Sequence, residues 1–173
     1  GESTVWPSNG LFRLEWLNGR VYQRLNSSKL VHILRRLNDT YHGTKMETIP
    51  IENSMTVEHL LPQQWIEHWP LPNGTNGITE EQMEEATAEE SVVRATRQRN
   101  AALQTLGNLT ILTQPLNSSV SNSGWSEKKP ELLRHSLLPI NQQLHGVTVW
   151  DEASIRERGE ELLKRALELW PRH

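Results

Sequence analysis

Cysteine is absent from the 173 residues. This excludes a disulfide framework, a cysteine nucleophile and a thiolate zinc site, and it agrees with a reducing, cytoplasmic setting. Aspartate is scarce: Asp39 and Asp151 are the only two of 21 acids, the rest being glutamate. A centre built on clustered aspartates is therefore not available. There is no glycine-rich phosphate loop, which argues against NTP hydrolysis by this chain. No apolar run approaches the roughly 18 residues of a membrane span, and the first residues lack a signal-peptide pattern. Internal repeats and low-complexity blocks are missing as well.

What remains is enough for one folded domain. Hydrophobic residues make up 35%, and seven of the ten aromatics are tryptophan, which supplies large anchors for a core. The net charge of −3 gives no global attraction to nucleic acid, but its distribution is uneven. Residues 11–36 carry six basic side chains against one glutamate, and residues 94–135 carry six against two. Two basic regions suit a phosphate-binding face, although solvated helix surface accounts for them more simply. The acidic run Glu80–Glu90 reads as a solvated helix face.

The pattern predicts an α+β chain, mostly helical. Residues 1–10 read as a flexible tail, and residues 11–25 as a short helix. Asn26 to Ser28 can cap a helix whose stripe is Leu30, Ile33, Leu34, Leu37 and Tyr41, with Gly43 as its stop. Residues 44–54 read as loop or edge strand. Met55–His59 alternates like a strand and meets Pro62. Thr79 with Gln82 is a capping box opening a helix towards Leu106, which Gly107 breaks. Asn108–Thr113 alternates again. Ser126 can cap a helix over 127–136 that tolerates Pro130, and Asp151 caps a last helix striped by Ile155, Leu162, Leu163, Ala166 and Leu169.

Two histidines follow a glutamate: Glu58-His59 and Glu67-His68. Neighbours in a regular strand point to opposite faces, so a Glu-His pair acts together only where the strand breaks. Pro62 provides such a break after His59. His68 sits in a tryptophan-rich segment before Pro70, where packing or surface is the simpler role. Asn108 follows 49 residues after His59, and Asn117 nine after that. Singly, these asparagines read as loop and turn residues. Trp65, Trp69 and Trp125 could stack on bases, but core packing suits them better.

The blocks Val57-Glu58-His59-Leu60-Leu61-Pro62-Gln63 and Leu106-Gly107-Asn108-Leu109-Thr110-Ile111-Leu112, followed by Asn117, resemble an HNH nuclease, the ββα-metal fold. More closely, they resemble the C-terminal nuclease domain of GmrSD-type, modification-dependent restriction enzymes. There, too, a long helical insertion separates the blocks. The resemblance spans about residues 28–170, with Ile155 and Arg158 in the last helix. It implies a nuclease domain over 11–173, with a ββα core at 54–136 and the insertion at 63–106.

The resemblance also implies roles. His59 would be the general base, since neutral imidazole is available at pH 7. Glu58 and the amide oxygen of Asn117 would hold Mg²⁺, with Mn²⁺ as a substitute, because hard oxygens suit ions that keep most of their water. Asn108 would brace the loop that aims the imidazole, and Lys128, Lys129 and Arg134 would contact DNA phosphates. Where a common HNH site offers aspartate or a second histidine, Glu58 carries the charge alone. The implied activity is metal-dependent DNA cleavage in prokaryotic anti-phage or modification-dependent restriction. An N-terminal NTPase-like sensor domain would act alongside it, and no membrane would be involved. The rival readings are a nucleic-acid-binding module that does not cut and a helical protein-interaction domain.

Overall fold

The computed structural model describes residues 6–41 and 54–171. The stop at Gly43, the loop before Ser54 and the first five residues of the expected tail lie outside them. The chain is α+β, about 55% helical, with a single two-stranded sheet among the described residues.

Helix α1 (Asn9–Asn18) starts inside the expected tail, because the Ser8 side chain accepts from Leu11 N and caps it. At Gly19 the chain turns extended while its N–H still reaches Glu15 O. A Cβ there would lie 2.4 Å from that oxygen, so only glycine fits. The single helix expected over 11–25 is thus two, α1 and the one-turn α2 (Val21–Arg24). Helix α3 (Ser27–Asp39) is capped by Asn26, which accepts from Lys29 N, and it buries Leu30, Leu34 and Leu37.

Strand β1 (Thr56–His59) pairs antiparallel with β2 (Leu109–Leu112), with His59 opposite Leu109 and Glu58 opposite Thr110. The insertion between them holds α4 (Glu80–Met83) and α5 (Glu90–Ala102), not one long helix. The Thr79–Gln82 capping box is present. Like charges at Glu80/Glu84, Glu81/Glu85 and Glu85/Glu89 would stand one turn apart in a continuous helix and repel, so it breaks there. A 3₁₀ turn, Leu106–Asn108, leads into β2.

Helix α6 (Ser118–Asn122) is capped by Asn117. Helix α7 (Trp125–His135) begins after Gly124 rather than at Ser126, which places Pro130 within it. After α8 (Pro139–Gln142), α9 (Glu152–Leu169) runs from its Asp151 cap to Trp170.

Two apolar cores result, with β2 shared between them. One joins Leu30, Leu34, Leu37, Leu109, Ile111 and Leu162; the other joins Leu60, Leu61, Trp65, Trp69, Leu112 and Trp150. Each fully buried leucine or isoleucine contributes about 1.5–3 kcal/mol. Trp65, Trp69 and Trp125 lie in the second core with their indole N–H groups bonded to Asn100, Ser123 and Val147, so they pack rather than stack on bases.

Candidate functional site

The site forms where β1 ends. Beyond His59 the chain leaves the sheet at Leu60-Leu61-Pro62, and its backbone is held by the buried Asn108. Leu60 N donates to Asn108 O (2.9 Å) and Leu61 N to Asn108 Oδ1 (2.8 Å). Asn108 Nδ2 donates to Leu61 O (2.8 Å) and Leu103 O (3.0 Å), and Trp150 Nε1 donates to Oδ1 (3.0 Å). All four hydrogen-bonding positions of that amide are thereby used. Helix α9 clasps the same turn. Arg158 donates to Gly107 O (2.9 Å) and Leu109 O (2.7 Å), and a Cβ at Gly107 would lie 2.1 Å from Ile155 O.

On this frame His59 is only 8% exposed. The Tyr22 ring meets it edge-on at 4.3 Å, and its Nε2 lies 3.2 Å from Gln104 Oε1. Burial pushes the His59 pKa down; the Gln104 bond and Glu58 oppose this, and Lys128 adds to it.

Glu58 precedes it in β1. Its Oε1 accepts from Lys128 Nζ at 2.8 Å and from Ser121 Oγ at 2.8 Å. Lys128, expected at a DNA phosphate, has no exposure and spends its ammonium inside the protein, on Glu58, His59 O and Ser121 O. Burial lowers its pKa, and Glu58 opposes that shift. Asn117 is exposed. Its Oδ1 accepts from Val120 N (3.0 Å) and Ser119 Oγ (2.7 Å), and among the described residues it has no direct bond to Glu58 or His59. Its O also accepts from Ser121 N at 2.9 Å, so Asn117 and the serine that holds Glu58 ride on one helical turn.

Lys129 Nζ donates to Val147 O (2.9 Å) and His145 O (3.3 Å), while Arg134 is exposed and pairs with Glu131 (2.7 Å). A groove of about 800 Å³ runs beside the site, lined by Gln63, Gln64 and Trp65 on one wall and Ser118, Ser119 and Asn122 of α6 on the other. His68, half-exposed, lines this groove and not the buried centre.

No group of three or more His, Cys, Asp or Glu side chains converges among the described residues. The Glu58 carboxylate and the Asn117 amide oxygen are hard donors of the kind a hydrated Mg²⁺ takes, and Glu58 Oε1 and Asn117 Oδ1 each already accept two hydrogen bonds within the protein. They do not match zinc, which favours nitrogen and sulfur.

Gln104, Tyr22 and Ser121 escaped the sequence reading. Ser121 sits in a Ser/Asn run that reads as a turn or a short helix, with no signal that its hydroxyl reaches Glu58. Gln104 and Tyr22 carry no local signal, because their role comes from packing against a ring distant in sequence. No helix among the described residues is long and apolar enough to cross a membrane.

No curated protein and no solved structure matches the chain. One family model does, described as GmrSD restriction endonucleases, C-terminal domain, and it covers residues 6–165. With nearly the whole length matched, the chain belongs to the C-terminal domain family of the GmrSD restriction endonucleases, a nuclease family whose substrate is DNA.

Proposed function

We propose that this domain is an HNH-type DNA endonuclease, with β1, β2 and α6 as its ββα-metal unit and His59 as its general base. The observation that carries the reading is the His59 environment: a buried imidazole at a strand end, the turn after it locked by Asn108, with a carboxylate on the preceding residue. Burial favours the uncharged ring, the form that accepts a proton.

In the reaction, a water oxygen attacks phosphorus while His59 takes its proton. The bond from phosphorus to the 3′ oxygen breaks, leaving a 5′ phosphate; the departing 3′ oxygen takes a proton from solvent water to become a hydroxyl, and His59 returns its proton to solvent. Asn108 keeps the loop from drifting, so the imidazole stays aimed. Glu58 and Asn117 would hold Mg²⁺, or Mn²⁺ in its place, which when bound supplies a Lewis acid for the scissile phosphate and the leaving oxygen. Lys128 would position Glu58 instead of touching DNA, leaving Lys129 and Arg134 to meet flanking phosphates. The domain would serve as the cytoplasmic effector of a modification-dependent, anti-phage restriction protein, working with an NTPase-like sensor domain.

Supercoiled plasmid incubated with the protein, with Mg²⁺ and then with EDTA, tests this. Nicked or linear product is expected only with the ion, and at a rate reduced roughly 10²- to 10⁴-fold from His59→Ala. Cutting by His59→Ala at the wild-type rate would refute the assignment.

A further inference from the structure

The His59 ring has two nitrogens, and the structure distinguishes them. Nε2 lies 3.2 Å from Gln104 Oε1, in the interior. Gln104 is itself anchored: its Nε2 donates to Gln63 Oε1 at 3.0 Å, which turns its carbonyl oxygen towards the ring. Gln104 O also accepts from Tyr22 N at 3.2 Å, and the Tyr22 ring meets the imidazole at 4.3 Å. One short segment after α5 therefore holds both neighbours of the ring. Nδ1 has no hydrogen-bond partner among the described residues, and it is not one of the sealed polar atoms left unpaired, which are Asn38 Nδ2 and Arg158 Nη2.

An amide oxygen can only accept, so the ring nitrogen facing it must donate. A neutral imidazole has one donor and one acceptor. We infer that Gln104 is the positioning residue that sets the His59 tautomer: Nε2 keeps the proton, and Nδ1 carries the electron pair that takes the proton from water. Gln63 anchors Gln104 and also lines the groove between Gln63–His68 and α6, so the wall of the groove and the base share one hydrogen-bonded chain. Without Gln104 both tautomers would be populated, and one of them presents an N–H where a base is required. The kinetic consequence rests on the nuclease reading; the tautomer assignment does not.

Histidine-selective ¹⁵N NMR at about pH 9, well above the ordinary histidine pKa, reads the tautomer directly. Wild-type His59 should show a protonated Nε2 and an unprotonated Nδ1. Gln104→Met removes the acceptor at nearly constant shape; it should mix the tautomers and lower kcat severalfold, well short of the roughly 10²- to 10⁴-fold that the base itself supplies, with KM little changed. Gln104→Glu keeps an acceptor oxygen and should restore the wild-type tautomer. A wild-type His59 protonated at Nδ1, or a Gln104→Met spectrum identical to wild type, would overturn the inference. Should Gln104→Met fail to fold, Gln104→Ala makes the same test, and a spectrum identical to wild type would again overturn the inference. The expected spectra from a protein that cuts no plasmid would support the tautomer assignment and overturn the nuclease reading.

Discussion

A general base works best when it is uncharged at the working pH, and burial brings His59 to that state. The sign follows directly. A lowered pKa means that the ring protonates only in more acid solution, so the acid limb of kcat/KM should fall below the ordinary histidine value of about 6.5. Cleavage rates from about pH 5 to 8 would show it, and a limb above 6.5 would mean that a different group sets the profile. The same shift links to folding. The unfolded chain binds a proton at His59 more readily than the folded one, so this residue's contribution to stability is complete above about pH 6.5 and is lost as pH falls through the folded value. Two substitutions separate the Glu-His pairs. His59→Ala should cost roughly 10²- to 10⁴-fold in cleavage rate while the circular dichroism spectrum is kept. His68→Ala, on a half-exposed groove residue, should leave the rate within about twofold. The sequence favours the first pair through Pro62 and the asparagine blocks, and the structure seats the two differently, with His59 buried and His68 half-exposed.

At the scale of elements, the site is a turn clasped from two sides, and its brace is structural before it is chemical. Asn108→Ala would leave Leu61 N, Leu61 O, Leu103 O and Trp150 Nε1 buried without their partner. At about 1–3 kcal/mol for each lost group, and with sub-additive losses, destabilisation of roughly 3–5 kcal/mol is expected in urea unfolding. Little change in the midpoint would show that the turn holds without this amide. Activity should fall together with stability here, unlike His59→Ala. Helix caps at Asn26 and Asp151, the capping box at Thr79 and both strands could be read from the sequence because each is written within a few neighbouring residues, whereas the cap at Asn117 reads there only as a turn residue. The break between α4 and α5 could not, because repulsion among glutamates competes with an apparently continuous helical pattern. Nor could the inward course of Lys128. Charge at the start of a helix suggests solvent, whereas the structure sends that ammonium to a strand carboxylate 70 residues earlier in the chain.

Across the whole molecule, that inward turn decides how DNA can be held. The net charge is −3, so no global field draws in a polyanion, and binding must rest on local cations. With its ammonium fully buried on Glu58, Lys128 contributes nothing to the surface. Lys129 is tied to the Val147 and His145 carbonyls, whereas Arg134 stays exposed on the same helix. These positions predict opposite behaviour for two removals of one positive charge. Each phosphate contact adds about 0.9 to the slope of log affinity against log salt, so Arg134→Ala should flatten the slope by about that amount and leave stability unchanged. Lys128→Met should leave the slope intact but leave the Glu58 carboxylate, 13% exposed, without its partner, at a cost of up to about 3–5 kcal/mol in folding. Adding Glu58→Gln to Lys128→Met should recover part of that loss, since no unpaired charge then remains. Fluorescence anisotropy on a short duplex across a salt series, with urea unfolding of the same proteins, measures both quantities. A flattened slope in Lys128→Met with undiminished stability would place Lys128 on the DNA and remove it from the support of Glu58.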